Sequence, residues 1–201
     1  MSPIPFIPIT PRFKLTLLLG SVLLATAFSA ASCDQEQMVY QRPVAILNQK
    51  AKQLMDGGQP QAAIGRLESA LDLLPDEPST KFNLAIAYQQ NARYEDALKL
   101  FDDLLKHNNG DKNTLLKSMA VVYEAMADDA ITKSQATPPE APPPKLSPED
   151  IKTLNNKAIE NYKIAIQYYQ QSIADVKTPD ASLLQNQIDT LNQKIKQLSQ
   201  G

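Results

Sequence analysis

Few residues of this chain have the type and spacing that chemistry requires. There is one cysteine, Cys33, and one histidine, His107. A lone cysteine closes no intramolecular disulfide. One cysteine with one histidine also falls short of the four ligands of a structural zinc site. No serine or cysteine has a histidine partner that the pattern assigns to it. His107 ends a helical stretch, where positive charge is favoured, and reads as a surface residue. Asp102-Asp103 and Asp128-Asp129 are adjacent carboxylates. Neighbours on a helix point about 100° apart, so neither pair converges on one proton. Gly57-Gly58 is the only glycine pair and fits a turn rather than a phosphate loop. The chain therefore reads as a non-enzyme with no catalytic residue, metal ligand or cofactor. An enzyme, the remote alternative, would need a cleft with converging titratable groups.

Charge narrows the partners. The chain has 20 Lys and Arg against 22 Asp and Glu. Without residues 1–32, which hold Arg12 and Lys14, the balance is 18 against 22. That excludes the broad basic face by which nucleic-acid binders displace counterions. It also speaks against electrostatic adhesion of the whole surface to anionic lipid.

The position of Cys33 carries more than its chemistry. Arg12 and Lys14 precede an apolar run, LTLLLGSVLLATAF at 15–28, and small residues 29–32 follow it. This order is that of a secretory signal, and the run is short for a spanning helix, which takes about 20 residues. Ala30-Ala31-Ser32-Cys33 resembles the lipobox of bacterial lipoproteins, with Ala30 where that family most often has Leu. The resemblance implies cleavage before Cys33 and acylation of its sulfur and new amine. Several acyl chains anchor stably where one binds only marginally. The expectation is a signal peptide over 1–32, a lipid-anchored tether over 33–43, and a domain facing the periplasm or cell exterior. A secreted form cut after Ala31 or Ser32, or an uncleaved anchor helix, are the other readings.

The elements that follow form a repeat. At a shift of 34, Ala51 falls on Ala85, Leu54 on Tyr88, Ala63 on Ala97, Ile64 on Leu98, Leu67 on Phe101 and Leu71 on Leu105. At a shift of 35, Leu84, Ala85 and Tyr88 fall on Met119, Ala120 and Tyr123. Gly57-Gly58 and Asn108-Asn109-Gly110 mark turns, and Pro75 and Pro78 lie between units. The third unit is split. Residues 138–148 hold six of the 15 prolines and cannot be helical. A helix restarts at Ser147, with Pro148 in its first turn and Asp150 three residues on. Leu184, Ile188, Leu191, Ile195 and Leu198 then form the apolar seam of a last, polar-backed helix.

These residues resemble the tetratricopeptide repeat, two antiparallel helices in about 34 residues. The closest segments are 58–75, through Gly58, Ala63, Leu67, Ala70 and Pro75, and 92–105, through Tyr94, Ala97 and Phe101. Leu104 stands for a usual Ala, and Asn109 for a terminal Pro. The resemblance implies an all-α superhelix of about three helix pairs over 44–177, with the third repeat split by a Pro-rich loop at 135–146. A capping helix over 178–201 would close it. It also implies a concave groove for a protein or peptide partner, with a small-molecule substrate disfavoured. By repeat position the groove residues would be Asn48, Lys52 and Met55, then Phe82, Ile86 and Gln89, then Lys117, Val121 and Glu124. The family's carboxylate clamp would need Lys and Asn at positions held here by Asn48, Lys52, Asn83, Thr114 and Ser118, of which Asn83 alone agrees. The expected function is a membrane-tethered scaffold or adaptor, with a self-filled groove or a homo-oligomeric role as the alternative.

Overall fold

The computed structural model describes residues 39–135, 146–174 and 180–200. Seven helices account for nearly all of them. They are α1 (39–56), α2 (Pro60–Leu73), α3 (Pro78–Gln90), α4 (Tyr94–Lys106), α5 (Lys112–Gln135), α6 (Pro148–Ala174) and α7 (Asp180–Gln200). From α2 to α7 each helix packs on the next. The expected signal peptide, Cys33, the expected tether up to residue 38 and most of the Pro-rich loop lie outside the described residues.

Local chemistry explains where the helices begin. Pro60 opens α2 and Pro78 opens α3, each where an N–H has no intrahelical acceptor. The Glu77 carboxylate caps α3 by accepting from the Thr80 backbone N–H at 2.6 Å. At α6 the expected box forms reciprocally. Ser147 Oγ accepts from the Asp150 N–H at 3.1 Å, and Asp150 Oδ2 accepts from the Ser147 N–H at 3.1 Å.

The turns within the first two units share one geometry. Gly58 has φ +70°, its N–H donates to Met55 O, and the Gln59 N–H donates to Leu54 O. Ala92 has φ +56°, with the same bonds from Ala92 N–H to Gln89 O and from Arg93 N–H to Tyr88 O. Both are left-handed helix terminators, and they lie one repeat apart.

Two apolar clusters fill the stack. The first joins Ala51 of α1, Leu67 of α2, Ala85 of α3, Phe101 of α4 and Leu115 of α5. Ala51, Ala63, Ala85 and Ala97 are all fully buried, as the repeat register requires of positions where helices cross. The second joins Ala120 and Ala127 of α5, Tyr162 and Tyr169 of α6, and Ile188 and Leu191 of α7. The α7 seam therefore faces the body, with Leu184, Ile195 and Leu198 packed at its margin. Among the described residues there is no strand, and no helix is long and apolar enough to cross a membrane.

Candidate functional groove

The first helices of the units, α1, α3 and α5, stand side by side, and polar side chains cross between the first two. Asn48 on α1 donates through Nδ2 to Thr80 Oγ1 on α3 at 2.7 Å and to Val44 O at 3.1 Å. Thr80 is fully buried, and its hydroxyl donates to Glu77 Oε2 at 2.8 Å. Asn83 Nδ2 donates to Asn48 Oδ1 at 2.9 Å. This chain of amides, hydroxyl and carboxylate satisfies polar groups that would otherwise be costly to bury.

Two hollows open beside this network. One, of about 700 Å³, lies between α1 and the start of α3, lined by Gln41, Ala45, Asn48, the 74–79 turn and Asn83. The other, of about 280 Å³, lies between α3 and α5, lined by Phe82, Asn109, Asp111, Thr114 and Leu115 among others. Pro78, Ser79 and Asn83 border both, so the two form one trough across the starts of α3 and α5.

The residues assigned to the groove by repeat position do not share one environment. Asn48 and Phe82 line the trough, and Asn48 does so with its amide already bonded within the chain. Lys52 and Val121 are exposed, while Gln89 and Lys117 are half-buried, and these four line neither hollow. Met55, Phe82 and Ile86 are half-buried, with one side packed against the first cluster. The Phe82 ring meets Phe101 edge-on, with centroids 5.5 Å apart. Phe82 is thus part wall of the trough and part core, whereas Ile86 packs on the core and lines neither hollow.

Glu124 is committed elsewhere. Its Oε2 accepts from Tyr169 O–H at 3.2 Å, and its Oε1 accepts from Gln187 Nε2 at 2.7 Å. Four residues on, Asp128 accepts from Tyr162 O–H and from Lys194 Nζ, the latter at 2.9 Å. Burial, reinforced by these carboxylates, pushes both phenols well above the ordinary tyrosine range. Tyr162 and Tyr169, seven residues apart, share one apolar face of α6, and that periodicity does not announce their polar ends.

The carboxylate pairs do not converge. Asp102 pairs with Lys106, whereas Asp103 accepts from Lys81 at 3.0 Å. The Lys81 hydrogen bond holds the Asp103 carboxyl below its usual range, and the Lys81 amine is raised in return. Asp129 pairs with Lys133, away from the Asp128 cluster. His107 caps the end of α4, exposed, with its ring on Asp103. Among the described residues no three metal-ligating side chains gather.

No curated protein matches the chain. A family model described as tetratricopeptide repeat matches residues 54–118, from the end of α1 into α5. The matched span holds the repeated left-handed turns and the buried Ala63 and Ala97 one period apart, and its helices pack in consecutive pairs. Residues 54–118 thus carry tetratricopeptide repeats, and the described residues fold as an all-helical repeat of that kind.

Proposed function

We propose that this chain is an exported, lipid-anchored adaptor that holds a segment of another protein in the trough formed by α1, α3 and α5. Protein binding is the coarse role the repeat supports; the export, the anchor and the trough as the seat are the finer reading. One observation carries it: the trough is open and mixed in character, with amides at Asn48 and Asn83 beside the apolar edge of Phe82. Such a surface suits a helix or extended segment that presents apolar anchors. Anchoring at Cys33 supports work on an envelope or membrane assembly.

A self-filled groove is favoured at one level only. There Gln187 of α7 takes the Glu124 carboxylate that repeat position assigns to the groove.

A photo-crosslinking residue placed at Ala45 or Thr114 of the full chain, both exposed and lining the trough, tests the binding role in the native membrane. Both sites should yield one shared crosslinked species that Lys99, on the outer side of α4, does not. Equal products at all three sites would remove the groove as the binding face. The anchor is read separately: Cys33→Ala should abolish labelling by a clickable fatty acid and release the chain from membranes.

A further inference from the structure

The first helix carries an apolar stripe that no described part of the chain covers. Val39 is 65% exposed and Ile46 60% exposed, and Pro43 between them is exposed as well. Their spacing of four and then three residues puts them on one face. Ile46 and Asn48, two residues apart on a helix, point about 160° from each other, so the stripe faces away from the trough. Val44 and Ala51 are buried on the same side as Asn48, opposite the stripe, and Val44 also borders the trough.

The same helix departs from the charge of the whole chain. Over residues 39–56 it holds Arg42, Lys50 and Lys52 against one acid, Asp56, at its last position. All three cations are exposed. Cys33 stands six residues before Val39. Six residues span about 20 Å when fully extended, so an anchor at Cys33 keeps the start of α1 within that distance of the bilayer.

We propose that α1 rests on the phospholipid surface through this stripe, with Val39 and Ile46 in the interface and Arg42 and Lys50 directed to lipid phosphates. The proposal rests on the lipid-anchor reading given above. Apolar area and attraction to anionic headgroups both strengthen an interfacial helix. The long Lys and Arg stems lie along apolar surface while their charges stay hydrated. The anchor would supply the local concentration, and the stripe would set the orientation. With the stripe on the membrane, the trough opens toward the aqueous side, where a partner segment can enter.

A neighbouring pair of residues tests this at one height along α1. Ala45 lines the trough and Ile46 lies on the stripe, both exposed. An acylated Cys33 leaves an introduced cysteine as the only free thiol. Ala45→Cys and Ile46→Cys variants of the full chain would carry a nitrobenzoxadiazole label. Each would be placed in phosphatidylethanolamine–phosphatidylglycerol vesicles that contain nitroxide-bearing lipid. Quenching should be at least threefold stronger at position 46 than at position 45. Equal quenching in vesicle-bound protein overturns the proposal and leaves the anchor standing. Absence of quenching in the labelled chain, with the unlabelled Ile46→Cys chain oxidised by copper-phenanthroline to a disulfide between two copies, overturns it in favour of self-association. If label also reaches Cys33 and the chain does not float with the vesicles, the anchor reading fails, and this proposal fails with it.

Discussion

Gln187 on α7 donates to Glu124 on α5 across 2.7 Å, although 63 residues separate them. The same carboxylate takes the hydroxyl of Tyr169 on α6, so one acid ties three helices together. Asp128 repeats the arrangement one turn later with Tyr162 and Lys194. The spacing is regular: four residues along α5 against seven along α6 and seven along α7. These bonds line the seam where α7 meets the end of the stack, and they explain why a helix with so polar an outer face docks in one register.

Removing the shared acid should therefore cost more than removing either donor. Glu124→Ala leaves the buried Tyr169 hydroxyl without its acceptor, at a cost of about 1–3 kcal/mol. Tyr169→Phe leaves Glu124 with Gln187 and should cost about 0.5–1.5 kcal/mol. Urea unfolding of the two variants gives the comparison. A smaller loss in Glu124→Ala than in Tyr169→Phe would show that the carboxylate does not hold the seam.

Alkaline pH should loosen the same seam. The fold raises the Tyr162 and Tyr169 phenols above their ordinary value near 10, because ionising them would bury a charge beside Asp128 and Glu124. A group raised in the folded state contributes stability that is fully present below about pH 10 and is lost as pH climbs toward the folded value. Melting temperature should fall as pH rises above about 10. Tyr162→Phe with Tyr169→Phe should flatten that fall. An unchanged slope in the double variant would assign it to other groups.

Much of this fold is legible in the sequence because a repeat states the same packing problem more than once. Ala51 and Ala85, like Ala63 and Ala97, share a residue type one period apart, and all four are fully buried. Ser147 and Asp150 announce their helix start because a cap is a local bond between near neighbours. The clasp at Glu124 is not legible, since apolar periodicity reports which face is buried and says nothing of a polar atom at the end of a ring. The groove is legible only in part. Repeat position puts Phe82 and Ile86 on the concave side, but a helix in a shallow stack presents the flanks of that side to the core as well.

Ala92 offers a stabilising change that the register reveals. It holds the left-handed conformation that Gly58 holds one repeat earlier, and a side chain there costs about 1 kcal/mol or more. Its partners are backbone groups alone, so nothing but strain is lost with the methyl group. Ala92→Gly should raise stability by about 0.5–1 kcal/mol, less the extra freedom glycine gives the unfolded chain. Gly58→Ala should lower it by a similar amount. Thermal melts of both variants would check the pair, and a destabilised Ala92→Gly would mean that the turn is held by something other than its backbone geometry.

The register can be probed from the opposite side. Ala85 is fully buried between helices, so Ala85→Leu should overpack by roughly 1–3 kcal/mol. Lys99, with a side chain 77% exposed on α4, should tolerate leucine within about 0.5 kcal/mol. Equal effects would place these residues on the wrong faces.

Half-burial also decides how the groove should be tested. Phe82→Ser removes a ring that packs on Phe101, so part of the about 1.5–3 kcal/mol of a fully buried side chain is lost. Ile86→Ser loses a comparable part, and the two together would confuse lost binding with a weakened fold. Val121 avoids the difficulty: it is 41% exposed on α5, seven residues along the same face from Thr114, which lines the trough. Val121→Ser should change unfolding free energy by no more than about 0.5–1 kcal/mol, since a largely exposed side chain gains little from the folded state. If the concave face takes a partner, this variant should lose capture of the crosslinked species while its melt stays close to that of the parent. Loss of capture in Phe82→Ser alone, in step with its loss of stability, would show that the fold rather than the groove had been measured. Undiminished capture in Val121→Ser, with Phe82→Ser still folded and still binding, would move the binding face off α3 and α5 altogether.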